Sequence, residues 1–311
     1  MIVTVTLNAA LDITYRVPRL RPAAEHRVAE TAERPGGKGL NVARVLGALG
    51  HRAVVAGFAG GPVGAVLHEL LGDSPGGGLV EDALTPIAGN SRRTLGVVDT
   101  GSGNTTQLNE AGPYVTPDEW DAFLGTYTGL LADASAVALC GSLPPGLAVG
   151  SYASLVRAAQ AADVPVLLDT GGEPLRRGIA ARPDLVKPNA EELAGLTGFT
   201  EPVRAAREAR RRGARAVAAS LGPDGMLVST ADGGWQAAPP ERLRGNPTGA
   251  GDSAVAGLLS ALVEGLPWPD RLARAVALSA ATVLAPAAGE FDREAYEALL
   301  PRVAVTERVV G

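Results

Sequence analysis

Short apolar segments alternate with segments of helical periodicity through the middle of the chain. Runs at 136–140, 164–169, 184–187 and 215–220 are typical of buried strands, and a helical pattern at 203–212 separates the last two. Such alternation predicts successive strand–helix units with right-handed crossovers, and therefore a mostly parallel sheet covered by helices. In an α/β fold of this kind, ligands bind at the carboxyl ends of the strands.

Charge and cysteine content narrow the class of protein. The 311 residues include 28 Lys and Arg and 33 Asp and Glu, so the net charge is −5, which argues against nucleic acid as the main partner. The single cysteine, Cys140, excludes an internal disulfide and a multi-cysteine metal site. The sequence pattern indicates no signal peptide. It also indicates no membrane span, since the apolar run at 275–288 is interrupted by Ser279, Thr282 and Pro286. We therefore expect a cytoplasmic protein with no membrane partner.

A glycine-rich turn, Gly249-Ala250-Gly251-Asp252, precedes the apolar run 254–262. This pattern predicts a helix that begins at the turn, where unpaired N–H groups and the helix dipole attract an anion. Asp252 would repel that anion unless it has a chemical task, such as accepting a proton from an attacking hydroxyl. The alternative is an ordinary turn in which Asp252 only serves the helix start.

A second glycine turn, GGKGLN at 36–41, opens a helix whose apolar positions follow the spacing i, i+3, i+4, i+7. The glycines allow a ligand to approach the backbone, Lys38 supplies a cation, and Asn41 supplies a donor and an acceptor. This composition suits a polyol or a phosphosugar. A plain strand-to-helix turn with a solvated lysine would have the same pattern.

Two further polar residues follow predicted strands. Asp12 comes five residues after the strand at 2–7, and Ser142 lies in a loop of glycine and proline after the strand at 136–140. A serine held in such a rigid loop is typical of the ligand-binding edge of a parallel sheet.

A hairpin is predicted where Gly101-Ser102-Gly103 separates the strands 94–99 and 105–109. Arg92 and Arg93 stand just before it, and either of them could contact a ligand or lie at a surface strand entry. The segments 11–34 and 90–112 could pair into a small β lid inserted into one α/β domain.

Another helix start follows Lys187-Pro188 and places Asn189 and Glu192 one turn apart on one face. Two oxygen ligands at this spacing could position a hydrated Mg²⁺, or could only serve the helix dipole. A third glycine turn, SLGPDG at 220–225, follows the next predicted strand.

Five motifs together resemble the PfkB carbohydrate kinases of the ribokinase-like fold. They are GGKGLNVARVLGALG at 36–50, GSLPPG at 141–146, LVKPNAEEL at 185–193, SLGPDG at 220–225 and NPTGAGDSAVAG at 246–257. The match runs from about residue 2 to residue 290. The stretches TLNAALDITY at 6–15 and EAGP at 110–113 are closer to the 1-phosphofructokinase and tagatose-6-phosphate kinase branch. The resemblance implies a three-layer α/β/α fold with a mostly parallel central sheet and an inserted β lid, in one kinase domain over 1–311.

The same resemblance implies an ATP- and Mg²⁺-dependent kinase of a ketohexose phosphate, and a homodimer formed through the lid. Asp252 would accept the proton of the sugar hydroxyl, and the N–H groups of Gly249, Ala250 and Gly251 would bind the transferring phosphoryl group. The other implied contacts are Asp12, Gly37, Asn41 and Ser142 for the sugar, Lys38 and Arg92 for the phosphate that it carries, Lys187, Ser220, Gly222 and Gly225 for ATP, and Asn189 and Glu192 for Mg²⁺ and its waters.

Three departures from the family pattern bear on the choice of substrate. Ala9 stands where proline usually follows TLN, Pro35 replaces a small residue before GGKG, and Asn246-Pro247 replaces a common Asp-Thr pair. The last of these resembles tagatose-6-phosphate kinases, so fructose 1-phosphate, tagatose 6-phosphate and fructose 6-phosphate all stay open.

Two other interpretations compete with the phosphosugar kinase. One is a kinase of an unphosphorylated sugar or nucleoside, and the other is a non-catalytic sugar- or nucleotide-binding protein. The complete GAGD turn with Asp252 argues against the second of them.

Overall fold

The computed structural model describes residues 1–28, 30–72 and 78–308. Its strands are β1 (Ile2–Thr6), β2 (Ala10–Val17), β3 (Glu30–Gly36), β4 (Ala53–Gly60), β5 (Val80–Ile87), β6 (Arg92–Asp99), β7 (Thr105–Asn109), β8 (Ala136–Cys140), β9 (Val166–Asp169), β10 (Leu185–Val186), β11 (Ala216–Ser220), β12 (Met226–Ser229), β13 (Gly234–Ala237) and β14 (Val305–Arg308). Its helices are α1 (Lys38–Ala48), α2 (Gly61–Gly72), α3 (Pro117–Leu131), α4 (Ser151–Ala161), α5 (Gly172–Ile179), α6 (Ala190–Thr197), α7 (Pro202–Arg211), α8 (Ala250–Val263), α9 (Trp268–Val283) and α10 (Arg293–Leu299).

Ten strands form the large sheet, in the order β14-β13-β12-β11-β10-β9-β8-β1-β4-β5. The seven strands from β11 to β5 pair in parallel, and β12, β13 and β14 add an antiparallel edge. Parallel pairing aligns the carboxyl ends of successive strands along one edge of the sheet. The predicted mostly parallel α/β fold is therefore confirmed.

Helices cover both faces of the large sheet, and the strands divide their side chains between the two layers with a period of two. On β8, Val137 and Leu139 pack against α3 to α7, whereas Ala136, Ala138 and Cys140 pack against the layer of α1, α2, α8, α9 and α10. Cys140 is buried there as a small core residue. Two apolar cores on opposite faces give the three-layer arrangement.

Two helix starts differ in a way that matters for function. At α3, the Thr116 hydroxyl accepts a hydrogen bond from the Glu119 N–H, and the Glu119 carboxylate accepts one from the Thr116 N–H, which together form a capping box. Helix α8 begins at Gly249 in the left-handed conformation, with a φ of 84°. Since glycine has no side chain to cap the helix, the first N–H groups of α8 can serve a ligand.

A second, four-stranded sheet has the order β3-β2-β6-β7. Its central strands β2 and β6 are parallel, and both outer pairs are antiparallel. Only three residues separate β1 of the large sheet from β2 of this small sheet. The small sheet thus joins the two segments that the sequence predicts to pair, and it stands beside the carboxyl end of β1.

The sequence patterns miss some elements. Strands β5 and β14 and helix α5 carry no clear periodicity, and β10 is only two residues long, because Pro188 and the helix start at Asn189 follow at once. Residues 73–77, where a Pro- and Gly-rich loop is expected, lie outside the described residues. Among the described helices, none combines the length and the apolarity needed to cross a membrane.

An aromatic cluster on α3 provides a test of the core. Phe123 is fully buried, with ring centroids 5.1 Å from Phe58, 5.5 Å from Trp120 and 6.0 Å from Tyr127. We expect Phe123→Ala to lower the free energy of unfolding by about 3–5 kcal/mol, because it leaves a cavity in the core. Chemical denaturation measures this loss. Tyr114→Ala is the control, since Tyr114 is 65% exposed, and equal losses in the two variants would contradict the assignment.

Candidate active site

The carboxyl ends of the parallel strands gather most of the predicted site residues around one cavity of about 690 Å³. The starts of α1 and α8 and the inner face of the small sheet complete its lining. The predicted site residues that line it are Asp12, Gly37, Lys38, Asn41, Arg92, Ser142, Lys187, Asn189, Glu192, Ser220, Gly249, Gly251 and Asp252.

The remaining predicted residues, Gly222, Gly225 and Ala250, line a second cavity of about 590 Å³. Its walls are largely apolar and include Met226, Leu243, Val276 and Val283. The two cavities share Asn189, Ser220 and Gly251. They therefore meet at the start of α8, directly beside Asp252, so that two ligands could lie end to end with the Asp252 carboxylate near their junction.

Asp252 occupies the third position of α8 and is 7% exposed. Its Oδ2 accepts a hydrogen bond of 2.8 Å from Asn41 Nδ2. Burial, followed by the charge of Asp169, raises the pKa of Asp252 to about 6, although the Asn41 hydrogen bond and the charges of Lys38 and Lys187 oppose the rise. The group is thus a carboxylate at neutral pH with more affinity for a proton than an exposed aspartate has.

The turn before α8 is packed closely against the loop that follows α9. A Cβ on Gly249 would lie 2.8 Å from Ala288 Cα, so both the space and the positive φ require glycine. Of the three N–H groups predicted to bind an anion, that of Ala250 donates to the Pro247 carbonyl at 3.1 Å. The N–H group of Ala250 is therefore already engaged in a hydrogen bond within the turn.

Asp169 is a site residue that the sequence patterns do not reveal. It ends β9, is 1% exposed, and its Oδ1 lies 3.2 Å from Lys38 Nζ and 3.5 Å from Lys187 Nζ. Its Oδ2 is buried and, among the described residues, lacks a hydrogen-bond partner. The only available signal is an acidic residue at the end of an apolar strand whose neighbours also end at site residues.

Lys38 belongs to this charged group. Burial works against its ammonium charge, but Asp169, followed by Asp252 and Glu192, outweighs that effect and raises the pKa of Lys38. The lysine is therefore firmly charged beside the two buried carboxylates.

Arg92 lies in a different part of the same cavity. Its Nε donates to the Asn8 carbonyl at 3.0 Å and its Nη1 to the Glu110 carbonyl at 3.3 Å. Burial lowers the pKa of Arg92, and the charges of Asp12 and Glu110 oppose this. The structure thus separates the two predicted phosphate contacts, because Lys38, the first residue of α1, pairs with Asp169 whereas Arg92 accompanies Asp12.

The neighbouring arginine has a different environment. Arg93 is exposed and pairs with the Glu110 carboxylate at 2.9 Å. Of the two arginines before the hairpin, Arg92 is the one that lines the cavity.

Asp12 stands in β2 against the glycine turn that opens α1. A Cβ on Gly36 would lie 2.1 Å from Asp12 Cγ, so the turn can approach the carboxylate only because residue 36 is glycine. Burial raises the pKa of Asp12 to about 6, with opposing effects from Arg92, Thr94 and Arg44. Across the cavity, Asn8 Nδ2 donates to Ser142 Oγ at 3.2 Å, so Asn8, which belongs to the TLNAALDITY stretch but is not among the predicted site residues, also lines the cavity.

Asn189 and Glu192 form a reciprocal capping box at the start of α6. Asn189 Oδ1 accepts from the Glu192 N–H, and Glu192 Oε2 accepts from the Asn189 N–H, both at 2.8 Å. The predicted helix-start role is therefore present. Among the described residues, no group of three or more His, Cys, Asp and Glu side chains could enclose a metal. Two oxygen-bearing side chains one helix turn apart could hold the waters of a hydrated Mg²⁺.

Comparison with known proteins agrees with this geometry. Residues 4–294 match the model of the pfkB family of carbohydrate kinases. The chain is 38% identical over 293 residues to the 1-phosphofructokinase of Rhodobacter capsulatus, with 92% of each chain covered.

Solved structures extend the similarity to three dimensions. A possible 1-phosphofructokinase of Thermotoga maritima has a TM-score of 0.90 at 27% identity, with 99% of both chains covered. Escherichia coli phosphofructokinase-2 in complex with fructose-6-phosphate has a TM-score of 0.87 at 29% identity, over 97% of this chain and 98% of that one. The chain belongs to the pfkB family of carbohydrate kinases.

Proposed function

We propose that the protein transfers the γ-phosphoryl group of ATP to a hydroxyl of a ketohexose phosphate, with Asp252 as the base. The observation that carries this proposal is the meeting of a polar and an apolar cavity at Gly251, next to a buried carboxylate whose pKa is raised to about 6. Membership of a carbohydrate kinase family supports the reaction class.

In the proposed step, the sugar hydroxyl gives its proton to Asp252, and its oxygen forms the new bond to the γ-phosphorus. The bond between that phosphorus and the bridging oxygen of ATP breaks, and ADP leaves with the electron pair. Because Asn41 donates to Oδ2, it orients the carboxylate and leaves Oδ1 to receive the proton.

Preorganised positive groups surround the place of transfer. The N–H groups of Gly249 and Gly251 would stabilise the transferring phosphoryl group, and donors of this kind contribute about 2.7–4 kcal/mol each in comparable sites. That of Ala250 would join them only by leaving the Pro247 carbonyl. When bound, Mg²⁺ neutralises charge on the ATP phosphates, and Asn189 and Glu192 would hold its waters.

The two lysines take their position from Asp169, and this changes the role proposed for Lys38. Since Lys38 and Lys187 lie within 3.2 and 3.5 Å of the Asp169 carboxylate, we assign both to the transferring and ATP phosphates. Arg92 then remains for the phosphate that the sugar already carries, with Asp12, Gly37, Asn41 and Ser142 for the sugar hydroxyls.

The apolar cavity suits the nucleotide. Its walls would pack against the base, and Ser220, Gly222 and Gly225 would contact the ribose and phosphates. Among ketohexose phosphates we propose fructose 1-phosphate first, because the Rhodobacter relative is named 1-phosphofructokinase. Since ATP and sugar phosphates are cytoplasmic metabolites, we place the reaction in the cytoplasm.

We further propose that the small sheet acts as a lid within a single kinase domain and pairs two copies of the chain. Leu108 is 59% exposed and lies opposite Leu95 in the antiparallel pair of β6 and β7, so the two side chains stand on the same face of that sheet. A sheet face with these apolar side chains would be covered by a second copy of itself.

A coupled ADP-release assay tests the substrate class. We expect turnover with fructose 1-phosphate, and a value of kcat/KM for it that exceeds that for free fructose by about 10²-fold or more, because the half-buried Arg92 has no anion to pair with in the free-sugar complex. Tagatose 6-phosphate and fructose 6-phosphate are the other phosphosugars to be tested, with ribose and adenosine as controls. Faster turnover of a free sugar or adenosine would refute the phosphosugar assignment.

Substitution of Arg92 tests the phosphate contact. Arg92→Ala should raise the KM for the phosphosugar about 10- to 100-fold, because a charge-assisted hydrogen bond is lost, and should change the KM for ATP much less. The adjacent Arg93→Ala is the matched control, since Arg93 is exposed and pairs with Glu110. Equal effects on both KM values would count against this role.

Asp252→Asn tests the base. The change preserves size and the hydrogen bond to a neighbour but removes the proton acceptor, so kcat should fall about 10²- to 10⁴-fold with ATP binding retained. Asp270→Asn is the matched control, because Asp270 also occupies the third position of a helix, α9, and tests any general effect at a helix start. Near-normal turnover of Asp252→Asn would rule out the base assignment.

The pH profile tests the two raised carboxyl pKa values. Asp252 acts as a base only when it is deprotonated, so kcat/KM should fall as the pH drops through about 6, and the similar pKa of Asp12 should steepen this fall. In Asp12→Asn, kcat/KM should fall less steeply on the acid side of the profile than in the wild-type protein, by about a factor of ten for each pH unit. The substrate phosphate titrates equally in both proteins, so an unchanged slope would exclude Asp12 as the second group.

A further inference from the structure

The carboxylate of Glu290 contacts both the small sheet and the body of the protein. Glu290 Oε1 accepts hydrogen bonds from Arg34 Nε at 3.2 Å and from Arg44 Nη2 at 2.9 Å. Arg34 belongs to β3 of the small sheet, whereas Arg44 belongs to α1 of the body. Arg44 also donates from Nη1 to the Ala288 carbonyl at 3.1 Å. We call Arg34, Glu290 and Arg44 the Glu290 bridge.

The loop that carries Glu290 is packed between the two helix starts of the active site. A Cβ on Gly289 would lie 3.0 Å from Asn41 Oδ1, and a Cβ on Gly249 would lie 2.8 Å from Ala288 Cα. The loop thus touches both the residue that orients Asp252 and the glycine turn at the start of α8. Any displacement of Ala288 and Gly289 is transmitted to these two groups.

Arg34 connects the same carboxylate to the opposite side of the cavity. In the antiparallel pair of β2 and β3, Arg34 lies directly opposite Asp12. Direct cross-strand partners stand on the same face of a sheet, and both side chains line an adjoining cavity of about 630 Å³. The position of Arg34 is therefore coupled to that of Asp12.

We propose that Glu290 is a positioning residue that couples the sugar-binding face of the small sheet to the phosphoryl-binding turn of α8. The inference rests on the proposed function for the roles of Asp12 and Gly249. With the Glu290 bridge intact, the small sheet and the loop at 288–290 move as one body. Without it, the small sheet holds the sugar less well, and the turn at Gly249 loses one of its supports.

The charges of the bridge decide which variant is informative. Arg44 is 5% exposed, and burial lowers its pKa while Glu290 opposes this. Removal of Glu290 would leave a buried guanidinium without its counter-charge and would disturb folding. The side chain of Arg34 is 34% exposed, so its removal breaks only the connection to the small sheet.

The first experiment compares hydrogen exchange of the free enzyme in three variants. Arg34→Met should speed exchange at 285–290 and 246–252 by about threefold or more, because loss of the connection lowers the local opening free energy. Arg34→Lys should restore part of the protection. Arg16→Met is the matched control, since Arg16 lies in the same small sheet and its ion-pair partner at 3.7 Å is Glu30, directly across the strand pair on β3.

The second experiment measures kinetics of the same variants. Arg34→Met should raise the KM for the phosphosugar about three- to tenfold, as expected for a partly exposed ion pair, with the KM for ATP changed less than about twofold. Arg16→Met should leave both values unchanged.

The outcomes separate the two proposals. Unchanged exchange in Arg34→Met, equal effects of Arg16→Met, or an equal rise in the KM for ATP would overturn the coupling. If the wild-type protein turned over none of the ketohexose phosphates, the proposed function would fail, while hydrogen exchange would still decide whether the bridge holds the loop.

Discussion

Four charged side chains are held together where the parallel strands end, and their pairing determines the chemistry of the site. Oδ1 of Asp169 pairs with both Lys38 and Lys187, whereas the direct side-chain partner of Asp252 among the described residues is the neutral donor Asn41. If the lysines paired directly with Asp252 instead, their charges would lower its pKa further and weaken it as a base. In the proposed reaction, Asp169 would thus keep the lysines near the phosphates while the proton affinity of Asp252 stays high.

The fold places Asp169 with its two lysines, and Asp252 with Asn41, at little conformational cost. Strands β8, β9 and β10 are neighbours in the sheet, so Cys140, Asp169 and Lys187 come to the same edge through backbone hydrogen bonds. Helix α8 brings Asp252 to that edge through a start that only glycine can form, since Ala288 occupies the space of a side chain at position 249. Rigid elements on both sides therefore fix the two carboxylates before any ligand binds.

Local sequence patterns predict much of this arrangement and miss a definable part of it. The parallel fold follows from strand and helix periodicities, and Asn41, Lys38 and Asp252 are marked by glycine turns that open helices. Asp169 has no such local signal, because its role depends on the sheet order that places β9 beside β10. The role of Glu290 is not predicted by a local pattern for a similar reason, since its partners Arg34 and Arg44 are 256 and 246 positions away in the chain.

The structure also adds partners that local patterns do not predict. The resemblance implies that Lys38 and Arg92 face the phosphate on the sugar, and in the structure Lys38, at the first turn of α1, pairs with Asp169. Likewise, the spacing of Asn189 and Glu192 predicts a shared face but does not reveal that each already caps the other. Spacing along a helix determines which side chains can meet, whereas the surrounding charges and N–H groups determine what they bind.

The small sheet lines the cavity of the proposed base, Asp252, and can limit the access of water to it. A carboxylate with a raised pKa beside a phosphoryl-binding turn would activate water as readily as a sugar hydroxyl, and ATP would then be hydrolysed. Asp252 is 7% exposed, and its cavity is lined on one side by Asp12, Thr94 and Gln107 of the small sheet. In the proposed reaction, the surface that binds the sugar is thus the surface that keeps water from the base. Sugar binding and protection of ATP then depend on the same element, which gives a physical reason for that element to be connected to the catalytic turn.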